Sequence, residues 1–129
     1  MESMTDFSHW PLINDEIVGE LYLESEDPLT LELQQAVWSC VDKDLLQNIQ
    51  EIRELWLAGA FEEARKLSHK AAGYTGNAGL MRTYCILHVM DNGELPSEEW
   101  ERIYPQLEES AILGMQELLD RYPHLASGK

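Results

Sequence analysis

The chain has 129 residues, with 9 Lys and Arg against 24 Asp and Glu, which gives a formal net charge of -15. A surface this acidic repels nucleic-acid phosphates and anionic lipid headgroups, so neither nucleic acid nor a membrane surface is an expected partner. The length suits one domain, and a hydrophobic content of 44% is enough for one core.

Cysteine content and hydropathy indicate the compartment. The two cysteines, Cys40 and Cys85, are too few for a disulfide framework, which favours a reducing environment. The N-terminus has no basic region followed by an apolar run, and no stretch reaches the ~18 apolar residues of a membrane-spanning helix. We therefore expect a cytoplasmic protein, with a monomer as the default.

Residues 1–13 mix polar side chains with aromatic ones and are typical of a loose arm. Its aromatic residues, Phe7 and Trp10, could pack onto the rest of the domain. Asn14 follows as an expected N-cap, because acidic residues come directly after it and apolar residues then recur at helical spacing. This pattern predicts a short first helix.

Asp27 and Pro28 mark the start of a long second helix, since Asp can cap exposed amides and Pro suits the first helical position. Apolar residues then recur every three or four positions and predict one buried stripe up to about Ala58: Leu29, Leu33, Val37, Val41, Leu45, Ile49, Ile52 and Trp56. Gly59 ends this helix.

Two further helices are predicted from Phe61 to about Gly76 and from Leu80 to about Met90, and the turn sequence Asp91-Asn92-Gly93 ends the second of them. Ser97 is the expected cap of the last helix, which Pro105 should kink or divide. The buried face of that helix is predicted from its spacing: Trp100, Ile103, Leu107, Ala111, Gly114, Leu118 and Tyr122.

Strand-like alternation is nowhere sustained, and the short connections imply antiparallel neighbours. The predicted fold is an all-α antiparallel four-helix bundle with an additional short N-terminal helix. The bundle covers residues 14–122, between the arm of residues 1–13 and a tail of residues 123–129.

The predicted third helix has two unlike faces at about 100° per residue. One face is apolar and is expected to be buried: Ala60, Ala64, Leu67, Ala71, Tyr74 and Ala78. The other face is polar or bare and lies within roughly 60° of His69: Glu62, Arg65, Lys66, Gly73 and Gly76. His69 is therefore expected to point outward.

The residues around His69 decide its interpretation, because a lone histidine is usually a surface or structural residue. Gly73 and Gly76 lie one and two turns beyond it, although glycine inside a helix costs about 1 kcal/mol relative to Ala. Bare backbone there lets another protein bring an active-site loop to the ring. Positive charge, which can stabilise a transferring phosphoryl group, is concentrated nearby: Arg65, Lys66 and Lys70.

The order His69-x-Ala-x-Gly73-x-Thr-x-Asn77-x-Gly79 resembles the signature of histidine-containing phosphotransfer (HPt) domains, commonly written H-x-L-K-G-(S/A)-(S/A)-x-x-(L/I)-G. With its helical surroundings, the resemblance covers residues from about 14 to 122. Ala72 is a departure, since the family often has a lysine there, close to the phosphorylated ring.

Ala71 is a second departure, since the family usually has a larger aliphatic residue there. Lys66 or Lys70 could substitute for the lysine missing at position 72. Lys70 is sideways to His69 on the helix. We expect weaker retention of phosphate and not a loss of transfer.

The resemblance implies that Nε2 of His69 accepts a phosphoryl group. The implied partners are the receiver domains of a hybrid sensor kinase and of a response regulator, and Mg²⁺ would belong to the receiver, so no cofactor is expected here. The chain would be a stoichiometric carrier that neither binds ATP nor phosphorylates itself. The implied docking and phosphate surroundings are Arg65, Lys66, Lys70, Ala72, Gly73, Gly76 and Asn77.

Two other functions were weighed against this one. A metal-dependent bundle is disfavoured, because the residues three before His69, His88 and His124 are not the glutamates of the usual Glu-x-x-His pairs. No metal ligand is therefore predicted, and His88 is expected to be structural. An HPt-like interaction module that docks receivers or kinases without transfer stays open, because of Ala72.

Overall fold

A computed structural model describes residues 7, 9–91 and 99–126, and the regular structure within them is entirely helical. The helices of these described ranges are, in chain order, α1 (Asp15–Leu21), α2 (Pro28–Leu57), α3 (Phe61–Ala78), α4 (Met81–Asp91), α5 (Trp100–Arg121) and a 3-10 helix (Pro123–Leu125). The prediction of an all-α fold is confirmed. Across these described ranges, no helix combines the length and apolar character needed to cross a membrane.

The four longest helices pack in a closed sequence, with α2 on α3, α3 on α4, α4 on α5 and α5 back on α2. α1 lies on α3, and the 3-10 helix contacts α5 and α2. Burial of apolar side chains is the main force that holds such layers together. Large apolar side chains of the shared core come from α2, the connection between α3 and α4, α4 and α5: Leu45, Ile49, Ile52, Leu80, Ile86, Leu87, Met90, Ile103, Leu107 and Leu118.

α1 is fastened to the C-terminal end of α3. The side chain of Asn14 caps α1 as expected, and its backbone N–H donates to the carbonyl of Gly79 over 2.9 Å. The hydroxyl of Tyr22 donates to the carbonyl of Ala78 over 3.2 Å. Gly79 has a left-handed backbone with φ of 81°, and a Cβ there would overlap Val18. Gly79 therefore serves the structure of this junction.

The predicted stripe on α2 is wrong in its first two turns. Leu29 and Leu33 are 75% and 58% exposed, and the first buried residues of α2 are Gln34 and Trp38. α2 has 30 residues and α3 only 18, so α3 ends before it reaches the first turns of α2. Without α3 beside them, these leucines have no partner helix on their side among the described residues.

Two local expectations also change. The side chain of Asp27 makes no capping bond to the backbone of α2, and instead accepts a 2.8 Å hydrogen bond from the hydroxyl of Thr30. Pro105 lies within α5, which runs without interruption, so the expected division of the last helix is wrong. The missing N–H of Pro105 costs the single bond to the carbonyl of Glu101, and the buried face of α5 is sufficient to maintain the helix.

Both ends of the described chain pack onto the helices. Phe7 is buried and its N–H donates to Oε1 of Gln106 over 3.0 Å, whereas Trp10 stays 37% exposed. Leu125 is buried although it belongs to the predicted tail. The expected turn at Asn92 and Gly93 and the expected cap at Ser97 lie outside the described residues.

Candidate functional site

The buried side of α3 is lined with small residues: Ala64, Ser68, Ala71, Ala72, Thr75 and Ala78. Leu67 and Tyr74, which the spacing predicts to be inside, are only half-buried. The hydroxyls of Ser68 and Thr75 donate to carbonyls one turn earlier, which makes their burial possible. The inward face therefore packs against both α2 and α4, and Ala72 lies inside.

His69 stands on the outward face of α3, where its side chain is 78% exposed. Its Nδ1 lies 2.8 Å from Oδ2 of Asp91, the last residue of α4. A carboxylate can only accept hydrogen bonds, so Nδ1 is the nitrogen that carries the proton. The lone pair of the neutral ring is thereby assigned to Nε2, which is the atom left for a nucleophilic reaction.

Asp91 is a site residue that the sequence reasoning missed, because it was assigned only to a turn. One pattern could have found it. His69 and Asp91 each lie eleven residues from Leu80, where α3 and α4 are joined. Antiparallel helices joined by a short connection bring residues at equal distance from that connection together.

Gly73 and Gly76 differ in their surroundings. A Cβ built on Gly73 would meet no atom within 4 Å, whereas one on Gly76 would lie 3.0 Å from Cδ1 of Tyr84. Helix packing therefore explains the glycine at position 76, since its bare backbone accommodates the ring of Tyr84. This corrects the expectation that both glycines form an open surface. Gly73, one turn from His69, is the open position.

A groove of about 410 Å³ runs along α1, α3 and α4, beginning one turn from His69. Its walls include Ile17, Ala72, Gly73, Gly76, Asn77, Leu80, Met81, Tyr84 and Cys85. Burial raises the pKa of the Cys85 thiol, which favours the neutral form and makes this cysteine a poor nucleophile. The groove thus offers apolar surface and bare backbone next to the imidazole.

The predicted cations are not equivalent. Lys66 is 4.0 Å from Glu62, in an exposed pair of the kind that contributes little to stability. Arg65 is half-buried, with its Nε lacking a hydrogen-bond partner in the part of the chain that the structure describes. Lys70 is exposed and lies about 100° around α3 from His69. Arg65 and Lys66 lie one turn before His69, so none of the three cations occupies the position one turn after it, where Ala72 stands.

His88 is exposed on α4, and its ring stacks on that of Tyr84 with centroids 5.8 Å apart and an angle of 16° between the planes. Within residues 7, 9–91 and 99–126, no cluster of three His, Cys, Asp or Glu side chains could hold a metal ion.

No protein-family model, curated protein or solved structure matches this chain. The site presents an exposed imidazole whose Nδ1 contacts a carboxylate and whose Nε2 has no hydrogen-bond partner among the described residues.

Proposed function

We propose that this chain is a histidine phosphotransfer protein of the two-component type, in which Nε2 of His69 takes a phosphoryl group from one receiver domain and passes it to another. The observation that carries the proposal is the 2.8 Å contact between His69 and Asp91 on an exposed helical face. It combines a defined nucleophilic atom with open access.

The transfer step balances without a base in this chain. The Nε2 lone pair of His69 attacks the phosphorus of an aspartyl phosphate, the bond between phosphorus and the aspartyl oxygen breaks, and its electron pair stays on the released carboxylate. The imidazole ring gains positive charge while Nδ1 keeps its proton. Asp91 stabilises that charge and keeps the ring oriented, as a carboxylate does for an imidazolium in other sites. The reverse step delivers the group to a second receiver.

The proposed architecture is the antiparallel four-helix bundle formed by α2 to α5, with α1 as the added short helix. It is supported by the closed sequence of packing among those four helices and by the short α3 to α4 connection. Such a bundle holds His69 in the middle of a rigid helix, so a partner meets a fixed target.

The partner supplies the rest of the chemistry in this proposal. A receiver domain would bring the acidic pocket and its Mg²⁺, and the chain would act as a stoichiometric cytoplasmic carrier. Docking would use the bare backbone at Gly73 and the groove that begins there, with apolar contacts from Ile17 and Met81.

The test uses a receiver domain labelled as its aspartyl phosphate. Incubation should move the label to this chain as an acid-labile, base-stable adduct, and His69→Gln should abolish it. His9→Gln and His124→Gln serve as histidine controls that retain acceptor ability. Transfer that persists in His69→Gln would refute the proposal. Tight receiver binding without any label transfer would instead establish the interaction module.

A further inference from the structure

The turn of α3 that follows His69 carries no cation on the side that faces α4. Ala72 is 5% exposed and occupies the position one turn after His69 on that side. Arg65 and Lys66 lie one turn before His69, and Lys70 lies about 100° around the helix from it. A phosphoryl group on Nε2 carries at least one negative charge and needs hydrogen-bond donors. A donor beside the turn that follows His69 therefore has to come from another helix.

Two contacts fix how α3 and α4 lie against each other. At the level of Asp91, Nδ1 of His69 is 2.8 Å from Oδ2 of that residue. At the level of Tyr84, the ring of that residue covers the backbone of Gly76. Seven residues, or two helical turns, separate the two levels on both helices. The helices are therefore antiparallel and in step, and the residues between the two levels also face each other.

The residue between those levels on the exposed edge of α4 is His88. It follows Tyr84 by four residues and precedes Asp91 by three, so all three share one side of α4. Ala72 and Gly73 lie opposite His88 on the facing side of α3. Neither has a side chain long enough to separate the imidazole of His88 from that of His69.

The ring of His88 is also held in place. It lies nearly parallel to the ring of Tyr84, and Tyr84 in turn packs on Gly76. Stacking of this kind restricts the side chain to the side of α4 that borders α3. This gives Gly76 and Tyr84 a use beyond packing, since they position His88.

We infer that His88 donates a hydrogen bond to the phosphoryl group on His69, in the place that the missing lysine at position 72 would take. The inference rests on the proposed function. An imidazole has at least one N–H in either protonation state, so His88 can donate throughout the neutral range. Hydrogen bonds to a charged acceptor are stronger than neutral ones, so this bond stabilises phospho-His69 relative to the free ring.

The experiment measures how label distributes at equilibrium between this chain and a receiver domain. His88→Ala should shift the distribution away from His69 by roughly fivefold to tenfold, which corresponds to one lost hydrogen bond. His88→Lys should restore it, because an ammonium also donates. His9→Gln removes an exposed histidine elsewhere and should leave the distribution unchanged. The ³¹P resonance of phospho-His69 should move in His88→Ala and should stay in place in His9→Gln.

The outcomes separate the inference from the proposal beneath it. If the wild-type chain takes no label at His69, the proposed function fails. If it takes label but His88→Ala leaves the distribution and the resonance unchanged, only the role of His88 is refuted. A shift in His88→Ala that His88→Lys does not reverse, or that His9→Gln reproduces, also refutes that role. Circular dichroism spectra identical to wild type establish that each variant is folded.

Discussion

His69 on α3 and Asp91 at the end of α4 form a side-chain pair whose ring nitrogen and carboxylate oxygen are 2.8 Å apart, with the histidine 78% and the aspartate 24% exposed. The unequal exposure is informative. The carboxylate lies partly within the contact between α3 and α4, whereas the imidazole extends out from it. The pair therefore fixes one ring nitrogen while leaving the other accessible.

Removing the charge of Asp91 should slow phosphotransfer. In Asp91→Asn the ring loses the carboxylate that stabilises its positive charge, so we expect a decrease in rate of about tenfold or more. ¹⁵N NMR of the free protein should show proton occupancy moving from Nδ1 towards Nε2. Asp15→Asn is the matched control, since Asp15 pairs with Arg121 at a different surface. Equal rates in Asp91→Asn and wild type would contradict a role for this carboxylate.

Substitutions at two glycines should have opposite effects on stability. Gly73→Ala adds a Cβ into open space and improves helix propensity, so it should raise the free energy of unfolding by up to about 1 kcal/mol. Gly79→Ala adds a Cβ that overlaps Val18, at a position where the backbone is left-handed. It should lower that free energy by at least about 1 kcal/mol. Urea denaturation measures both, and stabilisation by Gly79→Ala would contradict the structure of the α1 to α3 junction.

A large side chain at position 73 should block docking and leave the fold intact. Gly73→Leu covers the backbone beside His69, so transfer from a phosphorylated receiver should fall at least about tenfold, which is the cost of about 1.4 kcal/mol in the docked state. Gly19→Leu is a matched control, because a Cβ on Gly19 of α1 also meets open space. The two variants should unfold at similar urea concentrations. Undiminished transfer in Gly73→Leu would place the docking surface elsewhere.

Two tyrosines should make stability fall at high pH. Burial raises the pKa of Tyr22, and burial together with nearby Asp44 and Cys40 raises that of Tyr74. The neutral tyrosine is thus favoured in the folded state. Their contribution to stability is full below the unfolded pKa of about 10 and is lost as pH rises above it.

The double variant Tyr22→Phe, Tyr74→Phe isolates this effect. It should be less stable than wild type at pH 7, because it loses the hydrogen bonds of Tyr22 to Ala78 and of Tyr74 to Asn48. Between about pH 10 and pH 11 its free energy of unfolding should decline less steeply than that of wild type. Parallel declines would contradict the burial of both hydroxyls.

Spacing along the chain was sufficient for most of the helices. Asn14 caps α1, Pro28 begins α2 and Gly59 follows its end, as local sequence patterns predict. These features depend on residues within a few positions of one another, and such short-range preferences operate before any tertiary contact forms. The outward direction of His69 belongs to the same class, because helical periodicity alone fixes it.

The stripe on α2 shows where that reasoning stops. Leu29 and Leu33 have helical spacing with the core residues, yet they are exposed because α3 is too short to cover them. Gly76 is similar, since only the contact with Tyr84 distinguishes it from the open Gly73. Whether an apolar or bare position is covered depends on the length and placement of a second helix, which local patterns do not contain.

The sequence by itself determined that the chain is helical and that His69 stands on an exposed face of its helix. The tertiary structure decided what surrounds that histidine, because Asp91 reaches it only when α4 packs in step along α3. A helix forms from interactions between near neighbours in the chain. A site between two helices depends on their relative position, which the packing of both helices sets together.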